Sequence, residues 1–158
     1  MVAGMNQLPQ AELERFLFGV ERVARDSVRG PLLDLQQDRC FYCDRHVATG
    51  AEVDHFLPWS RHPDDGLDNL VATHPGCNAS KRDFLAAAEH VERWRVRSAE
   101  LADDLVTIAR ENGWRRDDAR TLAVARTRYL RLPDSVQLWQ APSRFMPLDR
   151  RRVASALR

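Results

Sequence analysis

The chain has 158 residues, of which 44% are hydrophobic and 30% are charged, a composition typical of one ordinary globular domain. No apolar stretch approaches the roughly 18 residues needed to cross a bilayer, and the N-terminus lacks a signal-peptide pattern. From these features we expect a cytoplasmic protein with no membrane partner. A net charge of +1 does not by itself indicate a nucleic-acid-binding protein.

The charge is distributed unevenly along the chain. Residues 1–109 hold 12 basic and 18 acidic side chains, a net charge of −6, whereas residues 110–158 hold 12 basic and 5 acidic ones, a net charge of +7. A basic C-terminal third is able to follow a phosphate backbone. A solvated helix face in an arginine-rich protein is an equally good interpretation of the same residues.

The first part of the chain has a helical pattern. Apolar residues recur every three or four positions from Pro9 to Arg29, which predicts an amphipathic helix that ends at Gly30-Pro31. A short second helix is predicted over Pro31–Gln37. Both would lead the chain to Cys40.

The helical period is then lost. Residues 51–57 alternate well enough for a short strand that ends at Pro58, and residues 70–73 predict a second strand. Arg61–Asp68, between them, is a polar loop. Pro75-Gly76 begins a helix that we expect to continue through the Ala86–Ala88 run as far as Gly113.

The rest of the chain predicts one more long helix, from Asp117 to Leu132, which Pro133 ends. We expect irregular structure after it, until Asp149 caps a short terminal helix. The fold class is therefore α+β and mostly helical, with a strand, loop, strand, helix unit in the middle of the chain.

Two pairs of residues with metal-ligand spacing enclose this middle unit. Cys40-x-x-Cys43 precedes it, and His74-x-x-Cys77 follows after 30 intervening residues. Zinc in structural sites prefers four tetrahedral nitrogen and sulfur ligands, and a short spacing lets two thiolates of one turn reach it. Because a reducing compartment disfavours disulfides, and the cysteines number three, we predict a structural zinc site. The alternative is that the cysteines are small buried apolar residues.

Asp54, His55 and Asn78 have the chemistry that phosphodiester hydrolysis requires. A neutral histidine is a suitable base near neutral pH. A hard cation, magnesium or manganese, prefers oxygen ligands such as a carboxylate and an amide carbonyl. Since neighbouring strand residues point to opposite faces, Asp54 and His55 share a site only if the strand ends or bends there.

Together these motifs resemble the HNH endonucleases, which are ββα-metal or His-Me finger nucleases. The resemblance rests on Cys40-x-x-Cys43, Val53-Asp54-His55-x-x-Pro58, Asp68-Asn69-Leu70 and Cys77-Asn78-x-x-Lys81-x-Asp83. It implies that His55 is the general base, that Asp54 and Asn78 hold the catalytic cation, and that Asn69 braces the loop that orients the histidine. Many relatives have a second C-x-x-C where this chain has His74-x-x-Cys77, and histidine is an acceptable zinc ligand.

The resemblance also divides the chain. It implies an N-terminal helical segment (1–37), a nuclease core that includes the start of a long helix (38–97), and a C-terminal helical extension (98–158), all in one compact domain. By the same resemblance, we expect the chain to be either a compact version of such a protein or the C-terminal part of a longer one. We expect a DNA substrate with weak sequence preference, and a homo-oligomer or a larger nuclease system as possible assemblies.

Lys81 is the only lysine among 24 basic residues, which suggests a specific contact with a phosphate or with the site itself. We therefore group Lys81 with the catalytic residues as well as with Arg61 and Arg82 as candidate nucleic-acid contacts. Two other functions remain open at this point. One is a catalytically silent zinc module that binds nucleic acid or protein, and the other is an HNH nuclease acting on RNA or structured DNA.

Overall fold

Residues 25–58 and 65–158 are described by the computed structural model, and residues 25–35 are helical (α1). The predicted break at Gly30-Pro31, with a separate second helix over Pro31–Gln37, is wrong, because α1 passes through both residues. A proline inside a helix costs about 3 kcal/mol. Val28 and Leu32 are fully buried on one side of α1, and such burial contributes about 1.5–3 kcal/mol for each side chain. The part of the predicted helix from Pro9 to residue 24 lies outside the described residues.

The middle of the chain forms the predicted hairpin. Strand β1 (Glu52–His55) pairs antiparallel with strand β2 (Leu70–Thr73), so that Asp54 lies opposite Val71 and His55 opposite Leu70. A single 3₁₀ turn, Leu67–Asn69, leads into β2. Residues 61–64 of the predicted loop lie outside the described residues.

Helix α2 (Pro75–Lys81) follows the hairpin and begins at Pro75 as predicted, but it does not continue into the next helix. Arg82, with φ of 49°, turns the chain into an extended segment, residues 85–87, before α3 (Ala88–Glu100) begins. The prediction of one continuous helix was wrong because this segment pairs with a strand of the C-terminal part. The backbone N–H of Trp139 donates to the Leu85 carbonyl at 2.9 Å, and the backbone N–H of Ala87 donates to the Trp139 carbonyl at 2.8 Å.

Three further helices complete the chain. Helix α4 (Ala102–Glu111) ends just before Gly113, whose φ of 60° suits a glycine. Helix α5 (Asp118–Leu130) is capped by the Asp117 side chain, which accepts a hydrogen bond from the Arg120 N–H. Helix α6 (Arg150–Ala156) is capped in the same way by Asp149. These ends agree with the sequence-based prediction.

A second hairpin was missed. Strand β3 (Gln137–Ala141) pairs antiparallel with β4 (Arg144–Pro147) in the segment that we expected to be irregular. The β4 residues are exposed, so they show no alternation of apolar and polar residues, and Pro147 ends the strand. Trp139 of β3 is fully buried, so the hairpin packs on the core through this side chain.

The described residues thus form six helices and two small antiparallel sheets, and the α+β prediction is confirmed. One buried cluster is centred on aromatic side chains, with the Phe56 and Trp94 rings stacked 4.6 Å apart. A second cluster packs α1 against β2 and α4, and its fully buried members are Val28, Leu32, Leu67, Leu70, Ala72 and Leu105. The predicted segment boundaries at residues 37 and 97 stay predictions, although α3 crosses the second one. No helix among the described residues is long and apolar enough to cross a membrane.

Candidate metal centre and active-site cleft

The four predicted zinc ligands converge. The Sγ atoms of Cys40, Cys43 and Cys77 and one ring nitrogen of His74 all lie within 4.8 Å of one another. The first two cysteines belong to the turn enclosed by the Arg39–His46 bridge, whereas His74 is the N-cap of α2 and Cys77 lies in its first turn. Tetrahedral zinc with bonds of about 2.3 Å separates its sulfur ligands by about 3.8 Å. The cluster therefore fits a zinc ion after small movements of the side chains.

The surroundings of His74 favour metal binding through Nδ1. Its Nδ1 lies 3.2 Å from the Cys43 sulfur, and its Nε2 lies 3.0 Å from the His46 carbonyl oxygen. A carbonyl only accepts, so Nε2 carries the proton and Nδ1 presents its lone pair to the cluster. The His74 backbone N–H also donates to the Cys40 sulfur, at 3.3 Å.

The sulfur atoms have unequal acidity. Burial alone raises the pKa of the Cys43 thiol, but hydrogen bonds from Arg45 lower it to about 6. Burial, together with the nearby Cys40 and Cys43 sulfurs, raises the pKa of Cys77 to about 12. Three thiolates this close together repel one another, and a divalent cation between them would offset that repulsion. The donor set is thus compatible with zinc in its chemistry as well as in its spacing.

Next to this cluster, a cleft of about 530 Å³ brings together the three residues predicted for catalysis. Asp54 and His55 both line it, although they are consecutive in β1, because the strand ends at His55 and the chain bends at residues 56 and 57. Asn78 lines it from α2. The predicted requirement for a strand end is therefore met.

His55 is held by a carboxylate. Its Nε2 lies 2.6 Å from Asp65 Oδ1, and its side chain is only 9% exposed. When Nε2 donates to Asp65, the ring lone pair is at Nδ1. Sequence reasoning placed Asp65 in a polar loop and gave it no role. The only available signal was an acidic pair ten residues beyond the histidine.

Asn69 braces the chain just after His55. Its Oδ1 accepts from the Leu57 N–H at 2.7 Å, and its Nδ2 donates to the Leu57 carbonyl at 3.1 Å. The Asn69 carbonyl accepts from the Phe56 N–H at 2.8 Å. Asn69 is fully buried, so these bonds hold the bend without competition from water.

Two α3 side chains fix the segment that carries Asn69. Trp94 Nε1 and Arg97 donate to the Asp68 carbonyl at 2.7 and 2.8 Å, and Arg97 also donates to the Leu70 carbonyl at 2.7 Å. Burial lowers the pKa of Arg97 to about 10, against the opposing effect of Asp68. Arg97 was not predicted, because its helical position shows no sign that it is buried.

The Asp54 carboxylate receives two donors on the same oxygen. Tyr42 donates its hydroxyl to Asp54 Oδ2 at 2.6 Å, and Lys81 Nζ lies 3.1 Å from that atom. Lys81 also donates to the His55 carbonyl at 3.0 Å. Burial lowers the pKa of Lys81, and the nearby Asp54 carboxylate partly offsets that effect. Burial and Asp54 together raise the pKa of Tyr42.

This placement bears on the two predicted contacts of Lys81. Its side chain is fully buried, and its ammonium contacts the site itself through Asp54. The phosphate contact of Lys81 stays a prediction, and the burial of the side chain does not support it. Tyr42 was missed because it was read only as a spacer inside the C-x-x-C turn.

Asn78 is oriented by a second carboxylate on β1. Its Nδ2 donates to Glu52 Oε2 at 2.7 Å. Glu52 and Asp54 are two residues apart in the strand, so they share one face, and both line the cleft. Sequence reasoning overlooked Glu52, although this spacing was available as a signal.

Helix α1 contributes a basic part of the cleft lining. This part is formed by Arg25, Asp26 and Arg29 of α1, where Arg29 pairs with Asp26 at 3.3 Å. Neither arginine was singled out from the sequence. Of the predicted nucleic-acid contacts, Arg61 lies outside the described residues, and Arg82 is exposed at the end of α2 but does not line the cleft.

The comparisons with known proteins agree with this geometry. Residues 40–87 match the family model of the HNH endonucleases. The matched stretch contains the four predicted zinc ligands, Asp54, His55, Asn69 and Asn78. Searches among curated proteins and among solved structures gave no match.

Proposed function

Starting from the match of residues 40–87 to the HNH endonucleases, we propose that the chain is a metal-dependent endonuclease that hydrolyses phosphodiester bonds in DNA. The observation that carries the proposal is that Asp54, His55 and Asn78 line one cleft beside the Cys₃His cluster. Each residue alone has an ordinary structural explanation. Their convergence on one surface, with a base and two oxygen donors, is what phosphodiester hydrolysis needs.

His55 acts as the general base. It takes a proton from the attacking water, the water oxygen forms a bond to phosphorus, and the bond from phosphorus to the leaving ester oxygen breaks. Asp65, at 2.6 Å from Nε2, holds the ring in place and stabilises the imidazolium that forms. Asn69 keeps the bend after His55 rigid, so that the ring does not have to be ordered during the reaction.

Asp54 and Asn78 would hold the catalytic cation, magnesium or manganese, through a carboxylate oxygen and an amide oxygen. When bound, this cation stabilises the negative charge of the transition state and of the leaving oxygen. Because Lys81 neutralises part of the Asp54 charge, the Glu52 carboxylate contributes the further negative charge that attracts a cation to the cleft.

Arg25 and Arg29 are proposed to contact the phosphates on either side of the scissile bond. They are four residues apart on one helix face and line the same cleft as Asp54 and His55. Backbone contacts of this kind carry affinity and no base recognition, which supports weak sequence preference. Replacing both with alanine should weaken DNA binding and reduce the slope of affinity against salt by about 1 for each lost contact. Replacing Arg115 and Arg120, which do not line the cleft, is the matched control.

The direct test uses supercoiled plasmid with magnesium or manganese. The wild-type protein should nick or linearise it, and His55→Ala should lower the rate by at least about a hundredfold. His46→Ala is the matched control, because His46 is exposed and contacts His74 only through its backbone carbonyl.

The same assay separates the other functions. Cleavage of RNA or of branched DNA in place of plasmid would retain the chemistry and change the substrate. A protein that binds DNA but leaves every substrate uncut, with and without His55, would be a silent zinc module and would refute the enzyme.

A further inference from the structure

Tyr42 connects the sulfur cluster with the cleft. It lies in the turn between Cys40 and Cys43, and its hydroxyl donates to Asp54 Oδ2 at 2.6 Å. Its ring is fixed by edge contacts with Phe41 and Trp139, at centroid distances of 5.2 and 5.1 Å. A buried ring with neighbours on several sides keeps one orientation, so the position of the hydroxyl is set by the turn.

Lys81 is the second donor to the same oxygen. Its ammonium lies 3.1 Å from Asp54 Oδ2 and 5.6 Å from the centre of the Tyr42 ring. Lys81 ends α2, the helix that carries Cys77 and Asn78 in its earlier turns. Both donors to Asp54 therefore belong to segments that also carry ligands of the sulfur cluster.

The two donors leave the Asp54 oxygens with different roles. Among the described residues, the hydrogen bonds and the ion pair of this carboxylate all go to Oδ2. Oδ1 is the oxygen that remains for a ligand in the cleft, which Asp54 lines. Without a donor on Oδ2, the carboxyl group rotates about its terminal bond, whose rotamers are broad.

We propose that Tyr42 is a positioning residue for the catalytic cation: it holds Oδ2 of Asp54, with Lys81 as the second donor, so that Oδ1 faces the cation. This inference rests on the proposed function, because it assumes a cation at Asp54. Groups that hold a ligating carboxylate in this way typically change metal affinity by 10–100-fold when they are removed. Tyr42 is the decisive residue to test. It is neutral, whereas removing Lys81 also changes the charge beside the cation.

The test measures manganese binding directly. Zinc-loaded protein is titrated with Mn²⁺ and the free ion is counted by electron paramagnetic resonance. Tyr42→Phe should weaken binding by about 10–100-fold while the zinc content stays unchanged. Tyr129→Phe is the matched control: it removes a buried hydroxyl that donates to the Ala86 carbonyl at 2.8 Å, and it leaves both donors to Asp54, the Tyr42 hydroxyl and the Lys81 ammonium, in place. This control should bind Mn²⁺ as the wild type does.

A second readout separates positioning from folding. If Tyr42 only stabilised the fold, Tyr42→Phe and Tyr129→Phe would melt at lower temperature but would need the same Mn²⁺ concentration for half-maximal plasmid cleavage. A positioning role predicts that Tyr42→Phe needs more Mn²⁺ and regains most of the wild-type rate when Mn²⁺ is saturating. Asp54→Ala should not be rescued in this way.

The outcomes are distinguishable. If Asp54→Ala weakens Mn²⁺ binding but Tyr42→Phe does not, the positioning role is refuted and the proposed function stands. If Asp54→Ala leaves Mn²⁺ binding unchanged, the cation site itself is refuted, together with the role of Tyr42. If Tyr42→Phe weakens Mn²⁺ binding but the wild type cuts no nucleic acid, the positioning role is supported and the proposed function fails.

Discussion

Replacing Asn69 with alanine should destabilise the protein more than most single substitutions. The change removes the acceptor for the Leu57 N–H at 2.7 Å and the donor to the Leu57 carbonyl at 3.1 Å. Leu57 and Asn69 are both fully buried, so water does not replace either bond. A buried backbone group left without a partner costs about 1–3 kcal/mol, so the two groups together cost about 2–6 kcal/mol. That is a large part of the 5–15 kcal/mol typical of a folded domain.

Urea unfolding of the zinc-loaded protein measures this loss. With a slope of about 2 kcal/mol per molar, the unfolding midpoint should fall by about 1–3 M. Asn112→Ala is the control, because its Nδ2 donates to the Ile108 carbonyl at 2.9 Å in a half-buried place, where water compensates. Its cost should stay below about 1 kcal/mol. If Asn69→Ala costs no more than Asn112→Ala, the bend after His55 does not depend on this side chain and the reasoning is refuted.

Three further results are expected. Elemental analysis should find about one zinc per chain, and the zinc should be retained in His74→Cys and lost in Cys77→Ala. A folded wild-type protein without zinc would contradict the proposed zinc site. Glu52→Gln should weaken Mn²⁺ binding by about tenfold or more, because it removes a negative charge and the hydrogen-bond partner of Asn78. The control is Glu111→Gln, an exposed change outside the cleft, which should leave Mn²⁺ binding unchanged. Burial lowers the pKa of His90 below its ordinary value of 6.5, so the stability linked to this residue is present above that pH and is lost as pH falls through the lowered pKa. Urea unfolding should therefore show a smaller loss of stability between about pH 7 and about pH 5 in His90→Gln than in the wild type, and an equal loss would contradict the assignment.

The sequence predicted those parts of the site that depend on local spacing. The Cys40 and Cys43 pair, the His74 and Cys77 pair and the β1–β2 hairpin are each set by residues close together in the chain. Asp54 and His55 were placed at a strand end, and Asn69 was expected to brace the loop. Each of these expectations follows from a short motif whose chemistry has few alternatives.

What the sequence did not predict depends on pairing between distant segments. Tyr42 reaches Asp54 twelve residues away, and residues 85–87 pair with Trp139 instead of continuing the helix. The helix propensity of the alanine run was overridden by backbone pairing in the core. The burial of Lys81 was not predicted for the same reason, because no periodicity shows that a lone lysine is fully buried against a carboxylate.

The position of Tyr42 between two sulfur ligands has a consequence for how the protein matures. A newly synthesised chain that has not yet acquired zinc lacks the constraint on this turn, and with it the partner that orients Asp54. We therefore expect a chain without zinc to need more of the catalytic cation for the same rate of cleavage. Zinc supply would then set how much of that cation the protein requires.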